Sequence, residues 1–269
     1  MMLPDLGSLL GFSTEKIEKG DFILLSDRNA DASFLINHFL SLYLRAGCKV
    51  CFLGLVQSFS HYSAVALRLG VNLVQAREQG QLVFLEGLKD SVGQLLQQGP
   101  DSEAYPMGFL RGSQTDLRSL FRFVQRSVGG AGEWSPSILL VDDLSVLLSL
   151  GVSVEAILDF SHYCRTTVCH QLQGNMVMLV RVGEDEDDEE GPELLLKALT
   201  HQCSLALSIQ GLPTGYCRDI HGQVEVRWKE RGPGAAGPGG ALAQKKLLQY
   251  KVHDKGVSFF ARGTSSAVL

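Results

Sequence analysis

No run of about 18 apolar residues occurs in this 269-residue chain, so no membrane-spanning helix is expected. The first residues, Met1-Met2-Leu3-Pro4-Asp5, lack a basic stretch followed by an apolar one, and no secretory leader is expected. Basic charge is also in short supply: 24 Lys and Arg against 29 Asp and Glu give a formal net charge of −5. Such a surface is not built to coat nucleic acid, and only local basic patches remain for that partner. The six cysteines are scattered, mostly within apolar segments, which fits a reducing compartment and not a disulfide scaffold. Cys48-Lys49-Val50-Cys51 has C-x-x-C spacing but straddles the start of an expected strand. With no helix N-terminus to lower a thiol pKa, the pair reads as buried and structural. His162, Cys164, Cys169, His170, His201 and Cys203 are close in sequence, yet no second C-x-x-C or paired histidine completes a tetrahedral zinc set. The chain has no G-x-S-x-G elbow and no H-E-x-x-H. The acidic run Glu184–Glu190 lacks the central glycine and alternating ligands of a calcium loop and reads as a solvated loop. Neither a metal nor a cofactor is expected.

What is present is an apolar fraction of 45%, enough for a real core, arranged as short apolar runs alternating with helical periods. Strands are expected at Phe22–Ser26, Val50–Val56, Leu82–Leu85, Ile138–Val141, Met176–Val182 and Leu205–Gln210. Helices are expected at Ser33–Arg45, Tyr62–Leu69, Thr115–Val128, Val154–Gln171 and Leu194–His201. Asp90–Arg111 reads as a mobile connection with one short helix, and Gly183–Glu193 as an acidic loop. After Gly211 the pattern turns antiparallel: strands at Val224–Lys229, Leu247–His253 and Val257–Ala261, with a disordered Gly232–Gly240 segment. The expected fold is a single α/β domain over residues 1–269, a mainly parallel sheet with helices on both faces and an antiparallel C-terminal extension.

Between the first strand and first helix lies Ser26-Asp27-Arg28-Asn29-Ala30-Asp31-Ala32-Ser33, where a phosphate-binding loop reads Gly-x-x-x-x-Gly-Lys-Ser/Thr. Such a loop needs glycines so that backbone N–H groups can close on phosphate, and a lysine to reach it. Here Ser26 and Asp31 stand at the glycine positions and Ala32 at the lysine; only Ser33 matches. Asp27 and Asp31 add negative charge where phosphate would sit. Ile138-Leu139-Leu140-Val141-Asp142 has the form of a magnesium-binding strand, with Asp142 as its carboxylate, although buried parallel strands end that way for structural reasons too.

Further patterns follow in order: Leu69-Gly70-Val71-Asn72, then Glu78-Gln79-Gly80-Gln81-Leu82, Asp142-Asp143-Leu144-Ser145, His201-Gln202-Cys203-Ser204-Leu205 and Arg218-Asp219-Ile220-His221-Gly222. The series resembles the RecA-like ATPase superfamily, its RecA/KaiC branch in particular, and within it the family of the sixth subunit of the Elongator complex. The resemblance covers nearly the whole chain. In that branch an acidic residue near the end of the second strand orients water, and Val50–Ser60 contains none. The resemblance therefore implies a non-hydrolysing subunit. It would form a heterohexameric ring with Elongator subunits 4 and 5, work with the catalytic Elongator subcomplex, and contact tRNA in support of wobble-uridine modification, in cytoplasm or nucleus. Arg122, Arg126, Arg218 and Arg227 are the candidate RNA contacts, although solvated surface is the readier reading of such residues. The alternatives are an active RecA/KaiC-type ATPase in recombination or signalling, and a purely architectural adaptor.

Overall fold

The computed structural model describes residues 17–96, 105–111, 116–130, 133–183, 191–212, 215, 217–229, 242–253 and 256–262. Its strands are β1 (Phe22–Arg28), β2 (Lys49–Gly54), β3 (Leu82–Glu86), β4 (Ser137–Val141), β5 (Asn175–Val182), β6 (Leu205–Gln210), β7 (Gly222–Lys229), β8 (Leu242–His253) and β9 (Gly256–Ala261). Its helices are α1 (Ser33–Arg45), α2 (Phe59–Arg68), α3 (Leu73–Glu78), α4 (Gly87–Leu96), α5 (Arg118–Val128), α6 (Ser145–Ser149), α7 (Val154–Arg165) and α8 (Pro192–Gln202). The sheet runs β3-β2-β4-β5-β1-β6-β7-β8-β9. From β3 to β6 every pairing is parallel; from β6 to β9 every pairing is antiparallel.

The central strands are apolar over most of their length because both faces are covered. Ile23 and Leu25 of β1 face one core with α1, α2 and α3; Phe22 and Leu24 face the other with α5, α7 and α8. Helix α1 turns Leu35, Ile36, Phe39, Leu40 and Tyr43 onto the sheet, all essentially solvent-free. It stops at Gly47, whose φ of +73° suits glycine, and whose N–H donates to the Leu44 carbonyl. The antiparallel strands extend the α1 side of the core. Val224, Val226, Leu248, Tyr250 and Phe259 face it, and Phe34 stacks on Tyr250 with ring centroids 5.0 Å apart.

Several expected boundaries move. Strand β1 runs to Arg28, so Ser26 lies inside the strand and not in a loop; ladder pairing to β5 and β6 continues that far. The Thr115–Val128 helix begins only at Arg118, whose N–H meets the Asp116 carboxylate. The Val154–Gln171 helix is α-helical to Arg165 and then widens into a π turn over Thr166–Gln171, with the Leu172 N–H donating to the Thr167 carbonyl. The described residues of the Asp90–Arg111 stretch hold the end of α4 and a 3₁₀ turn at Gly108–Arg111. Glu193, expected in the acidic loop, belongs to α8, which opens on Pro192. Helices α3 and α6 are additions, and β8 starts at Leu242, five residues early. The Glu184–Glu190 run and the Gly232–Gly240 segment lie outside the described residues.

Lys229 and Leu242 are direct partners across the β7–β8 ladder. A tight turn therefore suffices to join them. Replacing residues 230–241 by Asn-Gly should leave the melting temperature within a few degrees. A larger fall in a thermal melt would show that the segment packs on the domain.

Candidate functional site

In an open parallel sheet, ligands sit outside the carboxyl ends of the strands, where the strand order reverses. Here those ends bring together the turn after β1, the Asp142-Asp143 pair after β4, and Arg181 near the end of β5. Asp27 and Arg181 are register partners on adjacent strands, so their side chains share one face. The Arg181 guanidinium lies among three carboxylates: Asp31 at 3.1 Å, Asp143 at 3.3 Å and Asp27 at 4.0 Å. Asp27 and Asp143 are about 4% exposed, whereas Asp31 lies on the rim.

The same carboxylates take up backbone donors. Asp27 accepts the Ala32 N–H at 2.9 Å, Asp31 the Ser33 N–H at 2.9 Å, and Asp143 the Ser145 N–H at 2.8 Å. At the start of α1, where a phosphate loop turns its N–H groups to an anion, two such groups thus face the chain's own side chains. The Ser145 hydroxyl donates to the Arg181 carbonyl and accepts the Arg181 N–H, both at 2.9 Å, tying α6 to β5.

Asp142 sits deeper. One oxygen accepts the Leu55 N–H at 2.7 Å; the other accepts the Val56 N–H at 3.1 Å and the Tyr62 hydroxyl at 2.8 Å. The residue caps the end of β2 and anchors α2. Glu86, at the end of β3, accepts the Phe59 N–H at 2.9 Å and holds the first turn of the same helix. Arg28 and Glu193 form an ion pair between β1 and α8.

Burial sets the charge states. It pushes Asp142 up to about 6, against the pull of the Leu55, Val56 and Tyr62 hydrogen bonds. Burial likewise raises Asp27 and Asp143, each partly offset by hydrogen bonds and by Arg181. For Asp31 burial also acts upward, but hydrogen bonds from Ser33 and the Arg181 charge outweigh it and lower the carboxyl. Burial would lower Arg181, yet the surrounding aspartates hold it above its ordinary value. Burial raises the Cys48 and Cys51 thiols to about 12, which leaves them protonated at neutral pH. Among the described residues no group of three or more His, Cys, Asp or Glu is arranged to hold a metal ion. Among the same residues no helix is long and apolar enough to cross a membrane.

The sequence candidates divide into two groups. Asp31, Ala32, Ser33 and Asp142 gather at the carboxyl edge, while Ser26 is 7% exposed within β1 and turned towards α8. The four arginines are all exposed but are not brought together. Arg122 and Arg126 lie on α5, which packs on β2 and β4. Arg218 follows β6, and Arg227 is on β7, where it pairs with Glu225. Arg181, Tyr62 and Glu86 were not singled out from sequence. Arg181 is a lone charge within an apolar strand, and that interruption was the one available signal.

Sheet order, crossovers and a site at the carboxyl edge define a RecA-like α/β domain. Solved structures agree on that class. A KaiC-like protein from Pyrococcus horikoshii matches with TM-score 0.51 at 10% identity, over 90% of both chains. An uncharacterized protein from the same archaeon, solved with an unknown peptide, matches with TM-score 0.57 at 13% identity, over 92% of this chain and 94% of that one. The family model for Elongation complex protein 6 matches residues 3–254. Elongator complex protein 6 of Danio rerio is 62% identical over 270 residues, and that of Homo sapiens 50% over 273 residues; each alignment covers 100% of both chains. The chain belongs to the Elongation complex protein 6 family.

Proposed function

We propose that this chain is a non-hydrolysing RecA-like subunit of the Elongator complex. It sits in a hetero-oligomeric ring with subunits 4 and 5, supports wobble-uridine modification by the catalytic subcomplex, and contacts tRNA, in cytoplasm or nucleus. The observation that carries the non-hydrolysing part is the Arg181 clasp. A protein guanidinium and three carboxylates occupy the place where nucleotide phosphates would need cations and free N–H groups. Phosphoryl transfer depends on that positioning and charge. Asp142 is committed to three donors of its own chain. The purified chain should show no ATP turnover and no saturable ATP binding at millimolar nucleotide. Hydrolysis that disappears in Asp142→Asn would overturn this reading.

For tRNA, the acidic carboxyl edge is unsuited to phosphate, which leaves exposed arginines elsewhere. Arg126 and Arg218 are the better pair, because Arg227 already holds Glu225 and Arg122 borders an aspartate-lined groove. In the assembled ring, Arg126→Glu and Arg218→Glu should each weaken tRNA binding several-fold and lower the salt slope by about 1 per lost phosphate contact. Unchanged affinity with an intact ring on gel filtration would leave this chain an architectural adaptor. A dissociated ring would assign the arginines to a subunit interface.

A further inference from the structure

Helices α5 and α7 lie side by side on the sheet and leave between them a groove of about 460 Å³, away from the carboxyl-edge clasp. Its floor is Leu117 and Phe160, both buried. Phe121 and Tyr163 stand over that floor with ring centroids 5.7 Å apart, and Tyr163 is 58% exposed. The walls carry opposite charge. On α5, Arg118 and Arg122, four residues apart on one face, line the groove; Asp116 at the helix start offsets part of their charge through its ion pair with Arg118. On α7 the groove is lined by Asp159, which is exposed, with Glu155 one turn earlier on the same helix but outside the lining.

We propose that this groove receives an amphipathic helix of a protein partner. The helix would set apolar side chains against Phe121 and Tyr163, with acidic residues on its flank over α5 and basic residues on its flank over α7. Two parallel neighbouring helices on a sheet offer the cleft into which a third helix nests, and helix-in-groove docking reads as anchors at i, i+3 or i+4, and i+7. Aromatic anchors at the centre and charge pairs at the rim are how such contacts gain affinity and orientation. A nucleic acid would be drawn to the α5 wall and repelled by Asp116 and Asp159. Only a ligand bearing both signs satisfies both walls. The inference goes beyond the proposed tRNA contact and does not depend on it.

The test places the photocrosslinker p-benzoylphenylalanine at position 163 of the full chain in cells, followed by purification and mapping of the joined peptide by mass spectrometry. The expected product is a peptide from another protein with apolar residues at i, i+3 or i+4, and i+7, acids on one flank and bases on the other. Its yield should fall at least five-fold in Arg118→Glu/Arg122→Glu and, independently, in Asp159→Lys, with melting temperatures unchanged because these side chains are exposed. Crosslinks to RNA, to this chain alone, or to a peptide without that pattern would overturn the proposal. So would no crosslink, or a yield indifferent to charge reversal. Co-elution with Elongator proteins, read separately by gel filtration, tests membership of the complex without bearing on this result.

Discussion

Asp142→Ala is expected to lower the stability of the chain by about 3 kcal/mol, because it strands the Leu55 N–H, the Val56 N–H and the Tyr62 hydroxyl at once. For a domain of this size that is a fall of roughly 6–12 °C in melting temperature. Asp142→Asn should cost less, since its carbonyl still accepts from Leu55 and its amide can donate to a reoriented Tyr62 hydroxyl; Val56 alone loses its acceptor. The two variants also separate a pH effect. The Asp142 carboxyl sits at about 6 in the folded chain, above its unfolded value. Its contribution is therefore fully present below about pH 4 and is lost as pH rises through 6. Thermal melts of the wild type should show that decline between pH 4 and 7, and the asparagine variant should show a shallower one. Equal melting temperatures for wild type and Asp142→Ala would mean that this carboxylate is not the cap the geometry describes. The same measurement bears on function: a carboxylate kept for magnesium is dispensable to the fold, whereas a cap is not.

Gly174→Ala should be more damaging still. Gly174 joins the π turn to β5, and a Cβ there would overlap the Ser137 carbonyl oxygen and press on the Val168 carbonyl, both parts of the backbone. Nothing flexible can yield. The Gly174 N–H donates to the Val168 carbonyl at 2.8 Å, and its own carbonyl accepts from Gly20 at 3.1 Å. Moving it disturbs the start of β5, the strand that carries Arg181. A loss of about 3 kcal/mol or more is expected, with most of the protein insoluble on expression. Gly183→Ala is the control. A Cβ there meets nothing within 4 Å, and its melting temperature should match the wild type. A soluble Gly174→Ala variant with an unchanged melt would refute the close packing at this junction.

Much of the sheet was legible in the chain because buried parallel strands must be apolar on both faces. Leu205–Gln210 and Ser33–Arg45 fall where periodicity and a terminal glycine put them. The π turn was not legible: Thr166–Gln171 continues a helical period, and the widening follows from the return path to β5, which is tertiary. The candidate site divides the same way. Asp142 and the altered phosphate loop are local patterns and could be read directly. Arg181 could not, because its partners come from a register between β1 and β5, across some 150 residues of chain. Tyr62 read as one more apolar residue on a helix, since its hydroxyl partner lies 80 residues away, just past β4.

The Arg181 clasp has a metabolic corollary. A protein whose loops are ordered by a bound nucleotide gains firmness as RT ln(1 + [L]/Kd), so it softens when that nucleotide is scarce. Under the proposed reading this chain carries its counter-charge on its own side chain, Arg181, which no dilution removes. Its carboxyl edge would then present the same shape to neighbours in starved and well-fed cells alike.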